Sequence, residues 1–283
     1  ITVTISGIGN YTGTVTREYE ITPKAYTVTT ESANKVYDGT ALTASGKIEG
    51  IVDGEDVEFK VTGSQTNKGT SKNTYSLKWN GSAIETNYAL ASESIGDLKV
   101  TEQTIDPGED PEKPNPNYDG VTVNNPSKEV YDGKEHKWSP AVADKEGNAL
   151  VEGTDYEVAY STEDFTNVTG TITVTINGIG NYTGTVTREY EITPKAYSVT
   201  TESAKKVYDG TALTAGGKIE GIVDGEVVVV HTTGSQTDVG STPNTYELEW
   251  KKASSKNYKL KEDSIGTLTV TEQTIDPGKD PDN

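Results

Sequence analysis

The sequence of 283 residues contains no cysteine, no methionine and only two histidines. Without cysteine, disulfide bonds, thiol catalysis, thiolate metal sites and iron–sulfur clusters are all excluded. Because small secreted domains commonly depend on disulfides, this absence points away from eukaryotic extracellular modules. The lack of both oxidisable residue types suits a bacterial exterior instead.

Long apolar runs and basic clusters are missing as well. No stretch approaches the roughly 18 apolar residues that cross a bilayer, so we expect no membrane insertion. The formal net charge is −19, from 44 acidic and 25 basic residues, and such a surface repels nucleic acid. No signal peptide or sorting signal is recognisable. Because the chain begins inside a repeat, we interpret it as an excerpt whose targeting and anchoring segments lie outside it.

One hairpin sequence occurs twice, residue for residue, at positions 7–21 and 178–192. Apolar and hydroxyl residues alternate before the second copy, a Gly/Asn-rich turn follows, and the same period then resumes, which predicts a β-hairpin. A hairpin by itself is marginal in water, so other strands must cover its apolar face. The residues that we expect on the buried face are Ile172, Val174, Ile176, Val186, Tyr190 and Ile192.

Four short landmarks recur in the same order along the chain. They are a Val-Tyr-Asp-Gly turn, a turn that ends in Val-Asp-Gly or Val-Glu-Gly, a turn that begins with Thr-Asn or Thr-Asp, and an Asn-Tyr pair. The Val-Tyr-Asp-Gly turn lies at 36–39, 130–133 and 207–210, and the Val-Asp-Gly or Val-Glu-Gly turn lies at 51–54, 150–153 and 222–225. The Thr-Asn or Thr-Asp turn lies at 66–69, 166–170 and 237–240, and the Asn-Tyr pair lies at 87–88, 181–182 and 257–258. Such a period, about 80 residues, predicts an array of two alternating module types.

The landmarks give the following predicted boundaries: 1–22, the C-terminal hairpin of a truncated first-type module; 23–105, a second-type module; 106–116, a Pro-rich acidic linker; 117–193, a first-type module; 194–275, a second-type module; and 276–283, the start of the next linker. Four prolines in the linker predict an extended, semi-rigid spacer. The short Thr-Pro-Lys-Ala joins predict closely held neighbours. For residues 1–22 we expect contact with the following module or with a neighbouring chain.

Short strands between Gly, Asn and Asp turns, without a helical period, predict an all-β protein. The expected architecture is a tandem array of small β-sandwich modules, elongated overall, with a β-grasp-like module as the alternative. The inward-facing sets that alternation predicts are Val57, Phe59 and Val61; Tyr75, Leu77 and Trp79; Leu98 and Val100; Val228, Val230 and Thr232; Tyr246, Leu248 and Trp250; and Leu268 and Val270.

The four landmarks resemble the YDG/MBG-type repeats of bacterial surface adhesins. The Gly-x-Gly-Asn-Tyr-Thr-Gly hairpin is similar to repeats in Ig-like arrays of Gram-positive wall-anchored proteins. The likeness covers nearly the whole chain outside the linker. It implies Ig-like modules in an extracellular stalk, with ligand binding in a distal domain, and it brings no catalytic residues to carry over.

The residues offer little chemistry. His136 and His231 stand at different places in the repeat, and Lys60 occupies the place of His231 in the other copy, so neither histidine is expected to be a required base. The sequence shows no nucleophile elbow and no phosphate loop. We therefore predict no enzyme, no catalytic or cofactor-binding residues and no cofactor, and the sequence identifies no ligand-binding residues.

Three motifs allow a functional and a structural interpretation. The Tyr-Asp-Gly triplets could form sugar-binding platforms, but an Asp turn with its Tyr packed on the sheet is favoured. The acidic stretches 53–56 and 106–110 could bind calcium, but solvated turns are favoured and no metal site is predicted. Trp79 and Trp250 are expected in the core, whereas Trp138 is undecided between core and exposed.

The function predicted from these observations is a structural stalk or spacer of a bacterial cell-surface adhesin, which projects a distal binding domain from the cell wall. One alternative is that the repeats bind host glycan or mucin by avidity. A second alternative is a set of accessory modules of a secreted polysaccharide-degrading enzyme. The expected partners are neighbouring modules of the same chain, with host glycan or protein left open, and the expected location is the bacterial cell surface.

Overall fold

The computed structural model describes residues 1–275. The predicted start of a next linker, residues 276–283, lies outside the described residues. Within the described part, helical residues are confined to two single 3-10 turns, Glu85–Asn87 and Ser255–Asn257, and strands supply the rest of the regular structure. The predicted all-β class is confirmed. None of the helices in residues 1–275 is long and apolar enough to pass through a bilayer.

The chain divides into two compact units. One comprises Ile1–Thr122, Val142–Glu157 and Ile176–Val186, and the other comprises Val123–Ala141, Val158–Thr175 and the chain from Thr187 onward. Both units include parts of residues 117–193, so they do not follow the predicted module boundaries, which stay a prediction. We use the word segment for a range of the sequence and not for a separately folding domain.

The leading hairpin consists of β1 (Thr2–Ser6) and β2 (Thr14–Glu18), which form an antiparallel two-stranded sheet of their own. Its apolar side chains are exposed, Ile1 to 61 % and Ile5 to 65 %. The expected cover from the following segment is therefore wrong, while cover by a neighbouring chain stays a prediction. In the matching hairpin the equivalent side chains are buried because that hairpin belongs to a larger sheet.

Segment 23–105 is built from short strands joined by Gly, Asn and Asp turns. Its strands are β3 (Lys24–Thr30), β4 (Ala33–Val36), β5 (Gly46–Glu49), β6 (Asp56–Val61), β7 (Gly69–Lys72), β8 (Tyr75–Asn80), β9 (Tyr88–Ser94), β10 (Asp97–Thr101) and β11 (Gln103–Thr104). Three sheets lie within the segment, with strand orders β5-β3-β9, β4-β10-β7 and β6-β8. Two strands from the beginning of the segment pair in parallel with two strands from its end, β3 with β9 and β4 with β10. The chain thus closes each segment against its own beginning.

Two of these sheets pack face to face. The ring of Tyr26 on β3 meets Trp79 on β8 edge-on, with centroids 5.7 Å apart and 81° between the planes. The ring of Tyr88 on β9 lies 5.0 Å from Trp79. The sheets β5-β3-β9 and β6-β8 therefore enclose an aromatic layer, as in a β-sandwich. This places Trp79 on the inward side that alternation predicts, where it is half-buried between the two sheets.

Segment 194–275 repeats this arrangement. Its strands are β19 (Lys195–Thr201), β20 (Ala204–Val207), β21 (Gly217–Glu220), β22 (Val228–Thr232), β23 (Gly240–Pro243), β24 (Tyr246–Trp250), β25 (Tyr258–Ser264) and β26 (Thr267–Thr271). The sheets are β21-β19-β25, β20-β26-β23 and β22-β24, and Trp250 lies between Tyr197 and Tyr258. In both copies the pairing of first and last strand shifts by one residue, after Tyr26 and after Tyr197.

The first-type segment follows the predicted alternation. Its strands are β12 (Thr122–Val123), β13 (Glu129–Val130), β14 (Val142–Ala143), β15 (Tyr156–Tyr160), β16 (Thr171–Gly178), β17 (Tyr182–Thr183) and β18 (Thr185–Thr193). They give a sheet of order β13-β18-β16-β15 and a pair β12-β14. The residues confirmed as buried are Ile172, Val174, Ile176, Val186, Tyr190 and Ile192.

The Pro-rich linker is a closed loop and not an extended spacer. The Thr104 N–H donates to the Asn117 carbonyl, and the Asn115 N–H donates to the Pro107 carbonyl, both at 3.1 Å. The Asn115 side chain also donates to the Asp106 carbonyl at 3.3 Å. The predicted extended, semi-rigid conformation is therefore wrong, because asparagine and aspartate bonds close the loop between its prolines.

Two fully buried asparagines, Asn73 and Asn244, hold the loops of the second-type segments. The Asn73 amide nitrogen donates to the carbonyls of Glu31, at 2.9 Å, and Ser45, at 3.2 Å. The Asn244 amide makes the matching bond to Glu202 at 3.0 Å. These amide nitrogens donate to loop carbonyls, whereas the Oδ1 atoms of both asparagines are buried without a hydrogen-bond partner in the described part of the chain.

We expect Asn73→Ala to destabilise segment 23–105 by about 2 kcal/mol, because the Glu31 carbonyl loses this donor and the Ser45 carbonyl keeps only the Glu31 N–H. The chain has three tryptophans, one in each predicted module. In a Trp138→Phe, Trp250→Phe background, urea unfolding followed by Trp79 fluorescence reports this segment. The exposed Asn34→Ala is the control and should cost less than about 0.5 kcal/mol. Equal losses in the two variants would contradict this role.

Candidate functional site

Each Tyr-Asp-Gly triplet forms a turn that is closed by its aspartate. Asp38 Oδ1 accepts from the Thr40 N–H at 2.9 Å and from Lys35 Nζ at 2.6 Å, and Gly39 has a φ of 76°. The Lys35 ammonium, followed by the Thr40 N–H, lowers the pKa of Asp38 to about 2. Asp209 makes the matching bonds and its pKa is lowered for the same reasons. The predicted Asp turn is confirmed.

The first-type triplet uses a different partner for its aspartate. Asp132 Oδ1 accepts from the Lys134 N–H at 2.9 Å and lies 2.8 Å from His136 Nε2. The Lys134 N–H is the main cause that lowers the pKa of Asp132, and His136 adds to it. Glu129 lies 3.4 Å from the other ring nitrogen of His136. The histidine thus takes the place of the lysine that closes the turn in the other copies.

The tyrosines of two triplets contact the Asn-Tyr pair of the segment that follows. The ring of Tyr37 meets Tyr182 edge-on, with centroids 5.5 Å apart and 80° between planes. The ring of Tyr131 meets Tyr258 in the same way, at 5.4 Å and 76°. Edge-to-face pairs of this kind contribute about 0.5–1.5 kcal/mol beyond the area that they bury. The prediction that these tyrosines pack on their own sheet is therefore incomplete, because each of them also packs against a tyrosine ring of the next segment.

The asparagine of the same Asn-Tyr pair forms two complementary hydrogen bonds. Asn181 Oδ1 accepts from the Lys68 N–H at 2.8 Å, while Asn181 Nδ2 donates to Asn67 Oδ1 at 3.2 Å. Between segments 117–193 and 194–275, Asn257 bonds in the same way, to the Val168 N–H at 3.0 Å and to Asn167 Oδ1 at 2.8 Å. The side-chain amide both accepts and donates, so it fixes the orientation of the turn that it meets.

We call this set the junction contact: a Tyr-Asp-Gly tyrosine and a Thr-Asn turn from one segment, bound to the Asn-Tyr pair of the next. Junction I joins segments 23–105 and 117–193, and junction II joins segments 117–193 and 194–275. Three of the four sequence landmarks therefore meet at one place. The sequence shows every landmark, but no single landmark contains a signal that the landmarks contact each other across segments.

Junction II contains a carboxylate that junction I lacks. Glu226 accepts hydrogen bonds from the hydroxyls of both Tyr131 and Tyr258. The Val223 N–H donates to the Tyr258 hydroxyl at 3.0 Å. Burial raises the pKa of Tyr258 and of Tyr131, and the bond to Glu226 raises each further. The sequence signal for this site is the glutamate that follows Asp-Gly in both second-type copies, at positions 55 and 226.

Junction I adds backbone pairing to the side-chain contacts. Strand β11 pairs in parallel with β17, which places Gln103 opposite Tyr182. The Ile105 N–H donates to the Thr183 carbonyl at 2.9 Å, and Ile105 is fully buried. Gly184 is required for this approach, because a Cβ there would lie 2.2 Å from Thr104 Oγ1. The last residues of segment 23–105 thus become part of the next segment's sheet edge.

The other candidate residues have ordinary structural roles. His231 Nε2 lies 2.9 Å from Glu249 Oε2 at the surface. Trp138 is half-buried, and its carbonyl accepts from the Tyr160 hydroxyl at 2.8 Å. The aspartates of the linker stretch accept backbone N–H bonds, Asp106 from Gly108 at 2.9 Å. Within residues 1–275, no group of three or more acidic or histidine side chains is placed to hold a metal ion.

A small pocket lies at junction I, with a volume of about 100 Å³. Its lining is charged and includes Asp38, Asp144 and an ion pair between Lys145 and Asp119. Sites for small organic ligands typically occupy roughly 300–1,000 Å³. This pocket is therefore too small for a sugar chain, and its lining carries four carboxylates but one ammonium group, that of Lys145.

Comparison with known proteins leaves the family open. No family model matches the sequence, and no curated protein matches it. Among solved structures, similar chains include a tandem from titin (10 % identity, 88 % of this chain and 100 % of that chain, TM-score 0.25) and the extracellular domain of protocadherin GammaB4 (10 %, 95 % and 54 %, TM-score 0.24). A third is the N-terminal eight Ig domains of Down syndrome cell adhesion molecule (9 %, 89 % and 35 %, TM-score 0.17).

We expect Tyr131→Phe to weaken junction II by about 1.5 kcal/mol, because Glu226 loses one of its two donors while the ring contact remains. The measurement is urea unfolding of segment 194–275, followed by Trp250 fluorescence in a chain without the other tryptophans. Tyr37→Phe is the matched control at junction I, with Trp79 as its reporter. Its ring contact is also retained and no carboxylate is lost, so it should be neutral. Equal effects of the two variants would contradict the role of Glu226.

The junctions should loosen at alkaline pH. Burial raises the pKa of Tyr182 to about 12, so its neutral form is favoured in the folded protein. This contribution is complete below the ordinary tyrosine value near 10 and is lost as the pH rises towards 12. We expect the urea midpoint to fall between about pH 10 and 12. Tyr182→Phe should match the unaltered chain at pH 7 and exceed it at high pH, whereas an identical decline in both would refute the assignment.

Proposed function

We propose that this chain is a structural spacer of repeated β segments from a bacterial cell-surface adhesin, which projects a distal binding domain from the cell wall. The observation that carries the proposal is the repetition of the junction contact. The same tyrosine, asparagine and turn residues join consecutive segments at junctions I and II. A chain in which recurring polar motifs join consecutive segments in the same way is suited to act as a spacer of fixed length.

The surface chemistry supports the same role. The outer faces carry threonine, serine and charged residues, and the net charge of −19 favours solubility and opposes side-by-side aggregation of exposed strand edges. We also propose that the chain itself is not an enzyme, because its histidines are engaged in surface or turn contacts with carboxylates. The resemblance to YDG/MBG-type repeats supports the bacterial surface location.

The alternative of glycan binding by the Tyr-Asp-Gly triplets has less support. The rings of Tyr37 and Tyr131 contact other tyrosines at the junctions, and Tyr37 is half-buried while Tyr131 is buried, so both are less accessible to a sugar than an exposed platform would be. Only the third triplet, with Tyr208, keeps an exposed ring in the described chain. Binding on a glycan or mucin array would favour this alternative, and the full-length gene would decide the alternative of an accessory module of a polysaccharide-degrading enzyme.

A spacer must be long for its mass, which small-angle X-ray scattering measures directly. A compact protein of 283 residues has a radius of gyration of about 19 Å. We expect the intact chain to exceed about 25 Å and to give a narrow distribution of dimensions. The variant Tyr131→Ala with Asn257→Ala should broaden that distribution, since junction II loses its ring and amide contacts. A radius near the compact value would overturn the spacer proposal.

A further inference from the structure

The dipeptide Asn-Gly occurs twice in the chain, at 80–81 and 177–178, in two different environments. An asparagine side chain can be attacked by the backbone nitrogen of the residue that follows it. Glycine has no side chain to shield that nitrogen, so the attack meets the least steric resistance in this dipeptide. The first copy lies at a turn on the surface, and the second lies at the end of a paired strand.

The first copy belongs to the turn that follows β8. The Ala83 N–H donates to the Asn80 carbonyl at 3.1 Å, and Gly81 has a φ of 58°. A turn with positive φ at this position favours glycine, so the backbone itself places glycine after Asn80. Gly81 is exposed, and beyond its chain neighbours no described atom lies within 4 Å of the position that a Cβ would take. Within residues 1–275, neither the Gly81 N–H nor the Asn80 side chain forms a hydrogen bond.

The second copy is held by hydrogen bonds on both residues. The Gly178 N–H donates to the Gly184 carbonyl at 2.9 Å, and the Thr185 hydroxyl donates to Asn177 Oδ1 at 2.8 Å. Asn177 and Gly178 are both half-buried at the end of β16. The nitrogen can reach the side chain only after this part of the hairpin opens, which costs free energy.

The other second-type segment lacks the dipeptide altogether. Lys251 and Lys252 stand in the matching place, and their N–H groups donate to the Val227 carbonyl at 3.0 Å and 3.2 Å. Of the two second-type segments, only segment 23–105 therefore carries an accessible Asn-Gly turn.

We propose that Asn80 is a site of spontaneous deamidation in the folded protein. The Gly81 nitrogen, after it loses its proton to hydroxide, attacks Asn80 Cγ. A bond forms between this nitrogen and Cγ, the bond from Cγ to Nδ2 breaks, and ammonia leaves, which closes a five-membered succinimide ring. Water then opens the ring at one of its two carbonyls and leaves aspartate or isoaspartate at position 80. The net reaction consumes one water and releases one ammonia.

Either product weakens the sheet in which β8 lies. The pairing of β6 with β8 places Asp56 directly opposite Asn80, and two like charges at opposite positions destabilise a strand pair. Isoaspartate also lengthens the main chain by one carbon beside Trp79, whose ring packs against Tyr26 and Tyr88. Segment 23–105 therefore loses stability as the protein ages, and this inference does not depend on the proposed spacer role.

Peptide mass mapping of the intact chain, incubated warm for several weeks at neutral and at mildly alkaline pH, tests the proposal. The peptide that contains Asn80 should exchange ammonia for water at least about tenfold faster than the peptide that contains Asn177, which must first open. The reaction should be faster at the higher pH, and labelling by an isoaspartyl methyltransferase should appear at position 80. In concentrated urea, where neither turn is folded, the two peptides should react at similar rates. An unchanged Asn80, or equal rates in the folded chain, would overturn the proposal.

Variants test the effect on stability separately. In the chain that keeps only Trp79, Asn80→Asp should lower the urea midpoint, and adding Asp56→Asn should restore it because the opposed charges are then gone. Asn80→Ser, which cannot form the ring, should keep its midpoint during incubation while that of the unaltered chain falls. An equal fall in both chains would overturn the assignment of ageing to this site, and a midpoint unchanged by Asn80→Asp would overturn the role of Asp56.

Discussion

A side-chain amide that donates and accepts at the same time determines how consecutive segments of this chain meet. Asn181 and Asn257 each bind a backbone N–H with the oxygen and a second amide with the nitrogen. Both bonds form only when the facing turn has one orientation, whereas the ring contacts beside them tolerate rotation. Asn257 is almost fully buried, so loss of its partner would leave polar atoms without water. Orientation therefore comes from the amide, and contact area comes from the tyrosines.

Much of the fold can be predicted from the sequence because its signals are local. Alternation places Ile172, Val174 and Ile176 on a buried face, since successive side chains of a strand point to opposite sides. The Tyr-Asp-Gly turns can be predicted because an aspartate bonds to a backbone N–H two residues later. Comparison of the two second-type copies helps as well, since a buried position keeps its apolar character while an exposed one varies.

The relations between distant residues cannot be predicted in this way. Alternation says nothing about which strands pair, so the parallel pairing of β3 with β9 has no sequence signal. The prolines of the linker predict an extended chain, but Asn115 and its bonds to Pro107 and Asp106 outweigh that tendency. The leading hairpin is expected to be covered, because its sequence equals that of a buried hairpin. Burial, however, depends on the neighbouring strands and not on the hairpin itself.

At the candidate site, too, the local turns can be predicted from the sequence, whereas the contacts between distant residues cannot. Local chemistry identifies the landmarks as turns, yet their recurrence at fixed spacing is also the signal for a shared contact. No single turn requires that a tyrosine, an asparagine turn and an Asn-Tyr pair recur together in every segment. Their joint recurrence is therefore a sign that they contact each other. The buried Asn73 and Asn244 escape sequence analysis for the same reason, since an asparagine in a Thr-rich stretch resembles an exposed loop residue until its three-dimensional neighbours are known.

The two kinds of junction limit which segments can be added to or removed from the chain. Junctions I and II differ in detail, with a carboxylate at one and strand pairing at the other, so each segment type is fitted to the opposite type on both sides. Deleting a single segment would bring two unmatched surfaces together. Adding or removing one segment of each type leaves every remaining surface beside its proper partner. A change of copy number by complete pairs would therefore preserve both kinds of junction.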